Sequence, residues 1–239
     1  MMLKNKVAIV TGAGRGIGRA IAEQFADQGC HIAALARSPE EIEETIALVE
    51  ARGCRGVAIP CDVADAESVR KAVALAIETL GPIDILVNNA GVACFKPFME
   101  LSLSDWESTM AVNLTGTFLC TQAVLPGMIA RGAGKIINIS SVSGLKPIAE
   151  QSAYCAAKHG VNGLTKTLAL ELQAHGIGVH AICPGGVVTR LANEAMPDRD
   201  KTDWMLPEDV AHTALFLATQ SERATTDIIH IRRFESSPL

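Results

Sequence analysis

The sequence predicts a doubly wound α/β fold, with one parallel β-sheet and helices on both faces. Three observations carry that expectation. Short runs rich in Val, Ile and Ala alternate with longer helical stretches along the chain, the pattern of strand–helix–strand units with right-handed crossovers. The composition has 20 Gly and only 4% aromatic residues, which suits buried strands and closely packed helices. The 239 residues contain no linker or low-complexity break, so residues 1–239 are expected to form one domain.

Residues 6–10 (KVAIV) read as a buried first strand. A helix follows over 16–29, with apolar positions at Ile17, Ala20, Ile21 and Phe25. Residues 30–36 form the second strand, and a helix over 39–52 starts with Pro39 in its first turn, where proline is tolerated. Residues 56–63 are the third strand and its exit, 66–79 a helix, and 83–91 the fourth strand and its loop. One long helical segment spans 104–131. The fifth strand covers 135–141, a helix 154–173, the sixth strand 178–186, the last full helix 207–219 and a closing strand 226–231. In such a sheet the ligand sits outside the carboxyl edge of the strands.

Net charge is −5 with the charges dispersed, so no basic block offers a surface for nucleic acid. Seven cysteines, an odd number at irregular spacing, suit reduced thiols in the cytoplasm rather than a disulfide framework. Neither the cysteines nor the six histidines show metal-ligand spacing. The opening MMLKNKVAIV lacks an export segment, and no run is expected to span a membrane.

Gly12, Gly14, Gly16 and Gly18 follow the first strand and open the first helix. Missing side chains let the backbone turn sharply and approach a pyrophosphate, and the helix N-terminus favours the anion. The spacing is T-G-x-x-x-G-x-G; the common G-x-G-x-x-G fingerprint would need glycine at Ile17. An acidic residue ending the second strand would accept from an NAD ribose and repel a 2′-phosphate. Here Ala36 stands there, followed by Arg37 and Ser38. A guanidinium pairs with phosphate through several donors. Arg37, with Ser38 and with Arg15 in the glycine turn, therefore favours NADP(H) over NAD(H).

Tyr154, the only tyrosine, lies four residues before Lys158, and Ser141 lies thirteen before Tyr154. Residues i and i+4 share a helix face. A free phenol has a pKa of about 10 and is a poor base near neutrality; a neighbouring ammonium favours phenolate. Ser141 supplies a hydroxyl to hold a substrate oxygen. Ser140 and Ser143 compete for that role. His159 points away from Lys158 on the helix and reads as structural or interfacial. Asn113, inside the long helical segment, is either a polar residue satisfied locally or a holder of a water that contacts Lys158.

On these residues the chain resembles the short-chain dehydrogenase/reductase family, a Rossmann-type fold, from about residue 5 to Thr219. Thr11, Gly12, Gly16 and Gly18 match its cofactor turn, and Asp62 matches its adenine-contacting aspartate. Asn88, Asn89, Ala90 and Gly91 match its NNAG segment; Pro184, Gly185 and Thr189 match the loop that holds the carboxamide. Ile17, Val63 and Val187 stand in the same segments and are assigned to the cofactor surface with them. The resemblance implies that Ser141, Tyr154 and Lys158 carry proton transfer, that Lys158 also bonds the nicotinamide ribose, and that Asn113 completes the set. It also implies a homodimer or homotetramer built on the helices at 104–131 and 154–173.

The expected activity is NADPH-dependent reduction of a ketone, such as a 3-oxoacyl thioester. A dehydrogenase of a polyol, sugar or other secondary alcohol, and a weakly catalytic dinucleotide sensor, are the alternatives. Expected substrate walls are 92–95, 145–148 and 186–196, largely apolar, with no fixed cluster of basic residues for a strongly acidic substrate; Lys146 either contacts a carboxylate or carrier phosphate or is simply solvated. The lid at about 190–206 is short, which predicts an open pocket. The C-terminus, RATTDIIHIRRFESSPL, departs from the family's glycine-rich ending.

Overall fold

A computed structural model describes residues 1–221 and 223–239. The chain runs β1 (Val7–Thr11), α1 (Gly16–Ala26), β2 (His31–Ala36), α2 (Pro39–Glu50), β3 (Gly56–Pro60), α3 (Ala66–Leu80) and β4 (Ile85–Asn88). It continues with α4 (Leu103–Met110), a π turn (Ala111–Thr115), α5 (Gly116–Arg131), β5 (Gly134–Ile139) and α6 (Ser152–Leu172). β6 (Ile177–Pro184), α7 (Arg190–Ala195), α8 (Pro207–Thr219) and β7 (Ile228–Ile231) complete it.

The seven strands form one sheet in the order β3-β2-β1-β4-β5-β6-β7, and every pairing is parallel. The expected single α/β domain with helices on both faces is therefore the observed one. Strand alternation divides the core. Ala8 and Val10 face a layer that includes Phe25 of α1, Ile42 of α2 and Leu217 of α8. Val7 and Ile9 face the opposite layer, with Val73 of α3 and Val124 and Met128 of α5. Phe25, Ile9, Ile21 and Met128 are fully buried, each contributing roughly 1.5–3 kcal/mol. Strand order reverses between β1 and β4, so their carboxyl ends open the crevice that holds a ligand in this topology.

Three boundaries differ from expectation for identifiable reasons. α1 stops at Ala26 because Gly29, at φ +85°, turns the chain out, and its N–H closes on Ala26 O at 2.8 Å. The segment 104–131 is not one regular α-helix; the π turn interrupts it at Asn113. The lid at 190–206 contains a helix, α7, whose N-cap Thr189 Oγ1 accepts from Ala192 N at 3.2 Å.

A correction concerns the membrane. By length and composition the 29 residues Leu103–Arg131 could cross a bilayer, where no such run is expected from the sequence. Cys120, Val124 and Met128 of that segment are instead buried against the sheet, as in a core helix. All seven cysteines are free thiols.

Candidate active site

The carboxyl ends of the strands border one cleft of about 1060 Å³, at the upper end of the range for ligand pockets. It runs from Arg37 and Ser38 beyond β2, over the glycine turn, to Ser141, Tyr154 and Lys158. Asp62, Val63, Asn89, Ala90 and Gly91 line it, as do Pro184, Gly185, Val187 and Thr189.

The glycine turn is built by its neighbours as much as for a ligand. Gly16 sits at φ +53° on the cleft wall, facing Thr189, whose Cγ2 would lie 3.5 Å from an added Cβ, and α1 begins there, so its first N–H groups remain for an anion. A Cβ on Gly14 would lie 2.8 Å from Glu41 Cβ, so α2 packs directly on the turn. Thr11 and Gly18 do not line the cleft. Thr11 is buried, and its Oγ1 accepts from Asn89 N and Ala90 N, both at 3.0 Å. A Cβ on Gly18 would strike Gly12 O. These two residues hold the turn's shape from behind. Asn89 Nδ2 donates to Thr11 O at 2.9 Å and Gly12 O at 3.1 Å, fastening β4's exit to the turn.

The phosphate-selecting end is split. Arg37 is exposed and forms no ion pair among the described residues. Ser38 is the N-cap of α2, yet its hydroxyl makes no cap hydrogen bond. Both remain able to meet a phosphate. Arg15 is committed elsewhere: its Nη1 donates to both Glu41 carboxylate oxygens, at 2.7 and 2.9 Å. Glu41 also stands 3.5 Å from Arg190 Nη1 of α7. Sequence alone does not single out Glu41, because nothing distinguishes it from the other acids of SPEEIEE.

At the other end, α6 presents Tyr154 and Lys158 on one face. Lys158 is buried, and its Nζ donates to Ile139 O at 2.8 Å and lies 5.6 Å from the Tyr154 ring centroid. Burial pulls the Lys158 ammonium down to about 8. Burial pushes the Tyr154 phenol up to about 12, against a hydrogen bond with Ser141 that favours phenolate. Phe95 meets the Tyr154 ring edge-on at 5.5 Å.

The three candidate serines take different partners. Ser140 Oγ donates to Lys158 O at 3.3 Å. Ser143 Oγ donates to Gln151 Oε1 at 2.8 Å, a contact no sequence motif signals. Ser141 Oγ accepts from Ser143 N at 3.1 Å, which orients it in the cleft beside Tyr154. Asn113 is buried, and its Nδ2 donates to Val92 O and Thr109 O, both at 2.9 Å. Its side chain thus pins the Val92 segment. His159 is exposed, with Nδ1 2.9 Å from Cys155 O.

The lid folds back on the loop below it. Val188 N donates to Met205 O at 2.8 Å. A Cβ on Gly186 would strike the Trp204 ring at 2.6 Å.

Residues 6–200 match the family model for short chain dehydrogenase. The chain belongs to the short-chain dehydrogenase family. It is an NAD(P)-dependent oxidoreductase acting on CH–OH or C=O groups. The chain is 43% identical over 230 residues to a D-threitol dehydrogenase of Mycolicibacterium smegmatis, covering 92% of this chain and 88% of that protein. It is 38% identical over 239 residues to a 3-oxoacyl-(acyl-carrier-protein) reductase FabG of Staphylococcus epidermidis, covering 95% and 97%. A crystal structure of a metagenomic short-chain oxidoreductase in complex with NADP superposes with a TM-score of 0.86 at 32% identity, covering 99% of this chain and all of that one.

Proposed function

We propose that this dehydrogenase is an NADPH-dependent ketone reductase in which Tyr154 is the proton donor. The observation that carries the reading is the convergence of Ser141, Tyr154 and Lys158 on one wall of a cleft whose far end offers Arg37, which has no ion pair among the described residues. The residues present fit a phosphorylated dinucleotide: a glycine turn opening a helix, no acid at the end of β2, and a basic side chain with a free hydroxyl beside it. The complex of the metagenomic relative with NADP supports the same choice.

When bound, NADPH supplies a hydride to a carbonyl carbon. The chain's own residues do the rest. Backbone N–H groups of the glycine turn from Gly14 to Ile17 would hold the pyrophosphate, and Arg37 and Ser38 would hold the 2′-phosphate. Asp62, Val63 and Asn89–Gly91 would border the adenine and ribose side. Pro184, Gly185, Val187 and Thr189 would border the nicotinamide side, where Lys158 would bond the ribose. Ser141 Oγ donates to the substrate oxygen. Tyr154 Oη transfers its proton to that oxygen and becomes a phenolate. Lys158 Nζ, a cation below about pH 8, stabilises that phenolate through space. Asn113 fixes the Val92 segment on the substrate side. A phenol pushed up to about 12 is held protonated at neutral pH, which suits reduction.

A second reading, oxidation of a polyol, is favoured by the 43% identity to a D-threitol dehydrogenase. A 3-oxoacyl thioester is the finer form of the first, by similarity to FabG. We also infer self-association through α4–α6. Phe118 and Leu170 are exposed there, while Val124 and Val161 face their own chain.

The test is cofactor consumption by purified protein. NADPH and NADH are each supplied with ketones that include a 3-oxoacyl thioester, and the reverse direction with polyols. NADPH oxidation on ketones is expected, and lost in Tyr154→Phe. NAD-linked polyol oxidation without NADPH turnover would instead establish the second reading.

A further inference from the structure

The wall beyond β7 belongs to the substrate end of the cleft, a placement that strand order alone brings about. β7 pairs with β6, and Gly185 N donates to Ile231 O at 2.9 Å. That contact draws the chain after β7 against the 184–189 loop. His230, Arg232 and Arg233 therefore line the same cleft as Ser141 and Tyr154, and Lys146 lines it from the turn that follows residues 142–144.

This wall is positive and unneutralised. No carboxylate lies within ion-pair distance of Lys146, Arg232 or Arg233 among the described residues, whereas Arg15 and Arg190 at the glycine turn are both met by Glu41. Glu150 and Asp198 border the cleft and pair with none of the three. A net charge of −5 makes such a wall a local exception. His230 Nε2 is buried without a hydrogen-bond partner, a donor or acceptor left unmet at a cost unless a ligand meets it. Burial first, and then the charges of Lys146 and Arg232, hold His230 below its ordinary pKa, which sets the three side chains in one field. Arg232 is fixed in place, because its Nη1 donates to the carbonyl oxygens of Arg233, Phe234 and Ser236. The tail is thus folded into the wall.

We propose that the substrate carries a carboxylate or phosphate, bound by Lys146, His230 and Arg233 within the field of Arg232, while its carbonyl or carbinol carbon lies at Ser141 and Tyr154. The proposal rests on the oxidoreductase reading of that site. A cationic wall of this kind binds anions through charge-assisted hydrogen bonds, and a neutral isostere forfeits them.

Two matched comparisons test it. The first measures kcat/KM for oxo-carboxylates against their methyl esters, and for keto-phosphates against the dephosphorylated ketones. At least tenfold preference for the anion is expected. That ratio should fall at least tenfold in Lys146→Gln with Arg233→Gln and be kept in Lys146→Arg. Whichever of the two pairs shows the preference identifies the anion. The second comparison needs no turnover: calorimetric binding of benzoate and phenyl phosphate, against methyl benzoate and phenol, to the complex with NADP. The anions should bind at least tenfold more tightly, and lose that margin in the double variant. Equal handling of anion and neutral isostere by the wild type in both comparisons would overturn the proposal. Failure of the reductase reading looks different, as no turnover of any ketone with either cofactor, and calorimetry still decides the anion question.

Discussion

Arg15 and Glu41 form a closed pair across the mouth of the cofactor cleft, with Arg15 Nη1 at 2.7 and 2.9 Å from the two carboxylate oxygens. The pair joins the glycine turn to α2, and Arg190 approaches the same carboxylate at 3.5 Å from α7. Both partners are partly exposed, so the pair contributes only about 0–1 kcal/mol to stability. Its consequence lies in binding: a 2′-phosphate must compete with Glu41 for Arg15. Glu41→Gln should lower the Kd for NADPH by roughly three- to tenfold, since a net bond to a charged group is worth about 1.5–3 kcal/mol and part of it offsets the lost pairing. NADH binding should change less. Fluorescence titration of the two cofactors checks this, and equal changes for both would show that Arg15 does not sense the phosphate.

Arg37 has no carboxylate partner to leave among the described residues, so its removal should act in the opposite direction. Arg37→Ala is expected to raise the Kd for NADPH by roughly 10- to 100-fold, the equivalent of one or two charge-assisted bonds. NADH binding should stay within about twofold, as this site offers an unphosphorylated ribose no comparable charge. A parallel loss for both cofactors would mean that Arg37 supports the fold of the pocket instead of reading the phosphate.

Tyr154→Phe removes one hydroxyl while keeping the ring that Phe95 meets at 5.5 Å. We expect kcat to fall by roughly 10²- to 10⁴-fold, the usual worth of a positioned proton donor. NADPH affinity should be nearly retained. Single-turnover reduction separates the two quantities, and unimpaired chemistry would remove Tyr154 from the mechanism.

Lys158 makes a prediction about stability and pH. Its pKa falls from 10.5 to about 8 on folding. Between those values the unfolded chain holds a proton that the folded chain has released, so stability contributed at this position rises with pH through that window. Below about pH 8 both states are charged, and the burial cost is borne in full. Wild type should therefore gain on Lys158→Met by a few kcal/mol at most as pH rises from 8 to 10.5, since each tenfold change in proton affinity is worth about 1.4 kcal/mol. Tyr154 works the other way: with its folded pKa at about 12, it contributes stability at neutral pH that is lost as pH rises toward 12. Urea melts of wild type, Lys158→Met and Tyr154→Phe at stepped pH resolve the two trends. A constant gap between wild type and Lys158→Met would contradict the buried-ammonium account.

Strand and helix order was legible because β1 and its counterparts, with Ala8 and Val10 buried on one layer and Ile9 on the other, read as short continuous apolar runs between longer helical stretches. The trio of Ser141, Tyr154 and Lys158 was legible because the helical repeat places i and i+4 together and because this chain has a single tyrosine. The π turn at Asn113 was not legible, since no residue type in AVNLT marks an inserted residue. Thr11 and Gly18 also shape the turn from behind, which their motif positions do not reveal. Only the packing of Asn89 and Gly12 against them decides that.

Sequence by itself determined the sheet, its open carboxyl edge and the residue types at the chemical end of the cleft, because these depend on local periodicity and short spacings. Tertiary structure decided which charges are free. Glu41 reaches Arg15 across 26 positions and Arg190 across a far longer separation. The same parallel order that sets β7 beside β6 carries Arg232 and Arg233 from the end of the chain to the substrate wall. Charge pairing depends on distances in space, and residues remote in sequence acquire those distances only when the sheet assembles.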